Sequence, residues 1–192
     1  MSKLYFRYGA MNCGKSSALM QVAHNYEEND KKVIVIKSSI DTKADNKLSS
    51  RIGLEREVDI LLDEKESLEK YYDQWENISC ILVDEAQFLT KKQVEELWMA
   101  SKLYDIPVIC YGLKTDFKSN LFEGSKRLLE LADEIEELVT ICSCGNRAKF
   151  NIRYINNKYT EEGEEVLIDG STPNVEYKPT CGKCYMKLKY NK

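Results

Sequence analysis

No stretch of about 18 apolar residues occurs in this sequence of 192, so no membrane-spanning helix is expected. Positive charge is not in excess. With 28 Lys and Arg against 32 Asp and Glu, the formal charge of −4 offers no general attraction to nucleic acid or to an anionic membrane. Any anionic ligand must then be held locally. Histidine is nearly missing: the single one, His24, can build neither a Ser-His-Asp arrangement nor a metallohydrolase site, and it is expected on the polar side of a helix. A secretory leader is not expected, because Met1-Ser2-Lys3 runs directly into a strand pattern. Internal repeats and low-complexity tracts are lacking too. The seven cysteines, an odd number without a secretory signal, argue against a disulfide framework and for reduced thiols in a soluble, cytoplasmic protein.

What is present is enough for a core: 43% of residues are hydrophobic, in a length that suits one sizeable domain with a small appendage. The clearest local signal is Gly9-Ala10-Met11-Asn12-Cys13-Gly14-Lys15-Ser16, which fits the phosphate-binding loop pattern without a mismatch. Glycines at its ends let backbone N–H groups converge on phosphate oxygens. Lys15 supplies a point charge to the β- and γ-phosphates, and Ser16 a hydroxyl to Mg²⁺. The apolar run at 4–8 predicts a strand feeding this loop. The run at 17–23 predicts a helix leaving it, with its positive end toward the anion.

Further strands are expected at 33–36, 78–83, 108–111 and 138–141, alternating with helical patterns. That alternation predicts a parallel sheet covered on both faces, an α/β fold of the P-loop NTPase (RecA-like) type. Leu68, Tyr71, Tyr72 and Trp75 repeat at helical spacing. Thr90 and Gln93 form a capping-box pattern ahead of Val94, Leu97 and Trp98. A further helix is expected from Phe122, Leu128, Leu129, Leu131, Ala132 and Ile135, with Asp133, Glu134, Glu136 and Glu137 as a solvated helix face. Residues 41–56 lack a clear period and are expected to form a mobile loop near the phosphates. Beyond residue 141 short alternating runs replace helices. The expected division is 1–141 for the phosphate-binding domain and 142–192 for a small C-terminal module.

Two more sites carry chemistry. The strand 80–83 ends in Asp84-Glu85, where Asp84 suits the Mg²⁺ that Ser16 also contacts, and Glu85 can accept a proton from an attacking water or alcohol. Cys142 and Cys144 face Cys181 and Cys184 across 36 residues, supplying four thiolates for a tetrahedral, structural Zn²⁺ in a zinc-ribbon-like module. Cys13, Cys80 and Cys110 are expected as small buried residues.

The loop at 9–16, the block Asp84-Glu85-Ala86-Gln87-Phe88, the run Gly112-Leu113-Lys114-Thr115-Asp116-Phe117 and the paired cysteines together resemble the thymidine kinase family of the cytosolic, zinc-containing type, over about residues 4–186. The resemblance implies transfer of the γ-phosphate of ATP to the 5′-hydroxyl of thymidine in nucleotide salvage, with deoxyuridine as a lesser substrate. It further implies a homotetramer and feedback inhibition by dTTP. It makes Glu85 the general base and adds Ala86 and Gln87 to the ATP-binding residues. Met11, Phe88, Leu113, Phe117 and Phe122 match residues enclosing the nucleobase. The segment from 164 to Tyr177 corresponds to a cover over the nucleoside, with Ile168 and Gly170 at the base edge and Tyr177 against sugar or base. Three departures stand out. Ile168-Asp169-Gly170 occupies the place of a glycine pair, Lys43 replaces a common Arg that Arg51 is able to compensate, and Cys142-Ser143-Cys144 has a one-residue spacer. The competing reading is an ATPase switch whose cysteine module binds nucleic acid or protein. Acidic Glu161, Glu162, Glu164 and Glu165, with no aromatic-basic stripe, weigh against it.

Overall fold

In the computed structural model, residues 1–40, 46–163 and 174–190 are described. Strand β1 (Leu4–Gly9) leads through the glycine loop into helix α1 (Lys15–Glu27), and β2 (Lys32–Ser38) follows. Short strands β3 (Lys47–Ser49), β4 (Glu55–Glu57) and β5 (Ile60–Leu62) precede a 3₁₀ helix at Leu68–Trp75 and β6 (Ile78–Asp84). Helix α2 (Lys91–Leu103), β7 (Val108–Gly112), α3 (Glu123–Leu131) and β8 (Glu134–Leu138) complete the larger part. Six of these strands form one sheet in the order β5-β2-β6-β7-β1-β8. Every pair in it is parallel, as the alternation of strand and helix predicts.

Period-two alternation sends side chains to two cores. Val33, Val35, Cys80, Leu82, Ile109 and Tyr111 pack with Leu19, Met20 and Ala23 of α1. Their sequence neighbours Ile34, Ile36, Ile81, Val83, Val108 and Cys110 pack with Val94, Leu97 and Ala100 of α2 and Leu128 of α3. Strands buried on both faces therefore read as unbroken apolar runs. The capping box at α2 forms in full: the Gln93 N–H donates to Thr90 Oγ1 at 3.2 Å, and the Thr90 N–H to Gln93 Oε1 at 3.0 Å.

Three expectations need correction. The acidic run after residue 132 is a strand, β8, and not a helix face, so the strand expected at 138–141 begins at Glu134 and a separate two-residue strand, β9 (Thr140–Ile141), follows. β8 is a sheet edge with one neighbour, and its charges meet cations at β1: Glu136 with Arg7 and Glu134 with Lys3, both at 2.7 Å. Edge strands tolerate such charge where central ones do not. Second, the aperiodic stretch at 41–56 carries, at its described residues, an antiparallel hairpin of β3 and β4. Only Leu48 of that hairpin is fully buried, joining the α1-side core, so the run is too short for a period to show. Asp41 and Lys43 lie outside the described residues. Third, the C-terminal module is not helix-free. After β10 (Arg147–Ala148), β11 (Phe150–Ile155), β12 (Lys158–Thr160) and β13 (Val175–Thr180), helix α4 spans Gly182–Tyr190, opened by the Tyr185 N–H on the Cys181 carbonyl at 2.9 Å. β11 and β13, with the shorter β12, form an antiparallel sheet in the order β12-β11-β13, and β9 pairs with β10.

Candidate active site

The glycine loop sits at the carboxyl end of β1, where ligands gather in open parallel sheets. Gly14, the residue before α1, has φ 81, and Asn12 has φ 65, so the chain curls through left-handed backbone twice within three residues. Gly9 is needed for a different reason. A Cβ there would stand 2.6 Å from the Leu138 carbonyl and 2.5 Å from Cys13 Sγ. Cys13 is half-buried, not fully buried as expected, while Cys80 and Cys110 are buried. Lys15 is buried, with Nζ donating to the Ala10 carbonyl at 3.3 Å, so its ammonium is folded back over the loop.

β7 lies between β1 and β6, and Asp84 ends β6 facing the loop across it. Ser16 Oγ donates to Asp84 Oδ2 at 2.9 Å, while Oδ1 is buried with no partner among the described residues. Burial pushes the Asp84 carboxyl up to about 7, the neighbouring Glu85 charge adds to the rise, and the Ser16 hydroxyl and Lys15 oppose it. A hydroxyl beside an oxygen lacking a partner is a donor set suited to a hard divalent cation.

Glu85 has φ 49, a left-handed conformation unusual for a residue with a side chain. Gln87 Nε2 donates to Glu85 Oε2 at 2.5 Å, and Gln87 Oε1 accepts from the Leu113 N–H at 2.9 Å. This amide bridges two walls of one cavity of about 450 Å³, lined by Met11, Lys15, Ser16, Asp84, Glu85 and Leu113. Ala86 and Gln87 are buried behind that wall, with Gly112 needed for room: a Cβ there would be 2.8 Å from Gln87 Oε1.

The expected base-enclosing residues divide. Met11, Phe117 and Tyr177 join one apolar cluster with Val175 and Ile155, the Phe117 and Tyr177 rings 6.4 Å apart. Phe88 and Phe122 form an edge-on pair at 5.8 Å. Ile168 and Gly170 lie outside the described residues. His24 is exposed and pairs with Glu28 at 3.2 Å, as a surface residue should.

Sequence reasoning did not single out three residues, Lys37, Asn151 and Arg153. Buried Lys37 lines the cavity next to Asp84 in strand register, together with exposed Arg51, the residue named beside Lys43, at the β3–β4 turn. The lysine that closes the apolar run Val33-Ile34-Val35-Ile36 was a signal available in the sequence. Asn151 and Arg153 on β11 had none, since their partners are distant in the chain. The Met11 N–H donates to Asn151 Oδ1 at 2.8 Å, and Arg153 Cζ lies 3.7 Å from the Phe117 ring centroid.

The four paired cysteines come together, their Sγ atoms all within 4.8 Å of one another. Sulfurs of a tetrahedral zinc site, at about 2.3 Å from the metal, stand about 3.8 Å apart, so the set fits that ion. The Asn146 backbone N–H and side-chain amide hold the Cys144 thiol down to about 6, toward the thiolate that binds metal.

Comparison with known proteins gives a consistent result. The family model described as thymidine kinase matches residues 2–185. The thymidine kinase of Lactococcus lactis is 46% identical over 190 residues, covering 97% of this chain and 98% of that one. The thymidine kinase of Enterococcus faecalis is 45% identical over 191 residues, covering 98% and 97%.

Proposed function

The chain belongs to the thymidine kinase family, and from that premise we propose that it transfers the γ-phosphate of ATP to the 5′-hydroxyl of thymidine, giving dTMP. The observation that carries the proposal is the single cavity in which Lys15, the Ser16–Asp84 pair and Glu85 meet. Backbone N–H groups of residues 10–16 and the Lys15 ammonium hold the phosphates. Ser16 and Asp84 would hold Mg²⁺, which would supply positive charge against that of the phosphates. Glu85, oriented by the Gln87 amide, accepts the proton of the attacking 5′-hydroxyl. Met11, Leu113, Phe117 and Tyr177 exclude water from the base, and Phe88 and Phe122, an edge-on pair, are assigned to the same pocket on family resemblance. Residues 164–173, with Ile168 and Gly170, are assigned to the base edge on family resemblance.

The division at residue 141 is part of this reading, supported by the change from parallel to antiparallel pairing just before it, between β8 and β9. Cys142, Cys144, Cys181 and Cys184 would hold Zn²⁺, which would tie the start of α4 to the β9–β10 turn and so support β13, which carries Tyr177. Deoxyuridine as a lesser substrate, dTTP as a feedback inhibitor, a homotetramer and a cytoplasmic location complete the proposal. A dTTP molecule suits a site with base pocket and phosphate cradle joined. Among the described residues no helix is long and apolar enough to cross a membrane.

The test is ADP release from ATP with and without thymidine. The proposal expects release to require the nucleoside; equal release in its absence would replace it with an ATPase.

A further inference from the structure

β11 runs between the two expected substrate regions: Asn151 accepts from the Met11 N–H of the glycine loop, and Arg153 lies against the Phe117 ring. Asn151, Arg153 and Ile155 share a face by period two. Opposite them in register stand Pro179, Tyr177 and Val175 of β13. Ile155, Val175 and Tyr177 belong to the cluster that holds Met11 and Phe117, so this face is the wall of the expected base pocket.

Arg153 is the anomaly of that wall. It is fully buried, the largest side chain so enclosed in the described chain. Burying a guanidinium is costly unless its contacts are good. Its plane carries the Phe117 ring at 3.7 Å, and Nη2 donates to the backbone carbonyl of Glu162. Gly163 is shaped by the same group, since a Cβ there would come within 3.1 Å of Nη2. Phe117 is held from a second direction as well. It lies in a tight turn where Asp116 accepts from the N–H groups of Lys118 and Asn120, each at 2.8 Å, and its carbonyl accepts from the Tyr185 hydroxyl at 3.5 Å. With one face of the ring covered by the guanidinium, the ring cannot swing without uncovering a buried charge.

We infer that Arg153 is a positioning residue for the nucleoside pocket: it fixes the Phe117 ring against the β11–β13 wall and ties that wall to the chain at Glu162, so that nucleoside affinity depends on it while the phosphate cradle does not. The inference rests on the nucleoside-kinase reading. Arginine suits the task better than its substitutes. Methionine fills the volume without charge or donors. Lysine keeps a cation over the ring but loses the flat fork that stacks and donates at once.

The experiment measures steady-state kinetics of Arg153→Met and Arg153→Lys against both substrates, with zinc content and melting temperature recorded for each. The KM for thymidine is expected to rise roughly 10- to 100-fold in Arg153→Met and by less in Arg153→Lys, with the KM for ATP within about twofold of the parent. A lowered melting temperature with the thymidine KM unchanged, or an equal rise in both KM values, would overturn the inference and leave Arg153 as a structural residue. Should the methionine variant fail to fold, the lysine variant decides by the same ratio. Failure of the broader reading is distinguishable, because it appears in the parent protein as ADP release that ignores thymidine.

Discussion

On the phosphate side of the molecule, a six-stranded sheet is filled on both faces by two large sets of buried apolar side chains, and the reactive groups sit on the ends of its strands. On the cysteine side, the buried set around the thiols is Cys142, Ala148 and Cys181 with Cys184 against them. The first region has a core of its own to set Lys15, Ser16, Asp84 and Glu85 in place, with Asn151 of the second adding one hydrogen bond to the glycine loop. The second has too little apolar area to order its strands alone, and a metal is the usual remedy for a module of that size. The proposed nucleoside pocket lies where they join: in its apolar cluster Met11 and Phe117 come from the first, Val175 and Tyr177 from the second. Catalytic groups and nucleoside-holding groups should therefore respond differently to perturbation.

The largest separation is expected from Glu85→Gln. Removing a general base lowers the chemical rate by roughly 10²- to 10⁴-fold, while binding of both substrates persists because the Gln87 amide and the cavity walls remain. Single-turnover phosphate transfer measures it, and a near-normal rate would remove Glu85 from the mechanism.

A smaller effect tests the joint itself. In Asn151→Leu the Met11 N–H loses its acceptor across the two regions, a loss of about 1–3 kcal/mol and so roughly 5- to 150-fold in kcat/KM for ATP. Nucleotide affinity indifferent to this substitution would mean that the regions are mechanically independent at the loop.

Within the phosphate side, Gly112→Ala should push Gln87 out of its bridge and cost about 1–3 kcal/mol of stability, read by denaturant melts. An unchanged midpoint together with unchanged turnover would show that Gln87 has room to move.

The last expected effect is a slope with pH. Asp84 is raised to about 7 when folded, against about 3.9 in an unfolded chain, so between those values the folded protein holds the extra proton. Its contribution to stability is thus fully present below pH 4 and is lost as pH rises toward 7. The difference in stability between the ligand-free parent and Asp84→Asn should change over that window and flatten above it. A constant difference would contradict the burial argument.

The same contrast explains what could be read from the sequence. Groups of the phosphate side are written as contiguous motifs, because one turn or one strand end positions each of them. Loop 9–16, Asp84-Glu85 and the Thr90–Gln93 cap were legible for that reason. Edge strand β8 was not, since a strand with only one neighbour can carry Glu134, Glu136 and Glu137 and then lacks any apolar signature. The β3–β4 hairpin hid because a single buried Leu48 makes no pattern, and α4 because a short helix beside a metal site need not bury a continuous stripe. The paired cysteines were plain, as their spacing is local. Asn151 and Arg153 were silent: one serves Met11 from 140 residues away, the other serves Phe117, and neither differs in sequence from an ordinary polar strand residue.

The most direct test compares affinities in one preparation before and after metal removal. Calorimetric titration of the zinc-loaded protein with thymidine, and with a non-hydrolysable ATP analogue, is repeated once a chelator has taken out about one zinc per chain. Loss of thymidine binding, with analogue affinity reduced by no more than the roughly 5- to 150-fold that the single Asn151 bond accounts for, is the predicted result. Thymidine binding that survives complete zinc loss, or analogue binding that vanishes alongside it, would contradict the division between a self-supporting phosphate cradle and a metal-supported nucleoside wall.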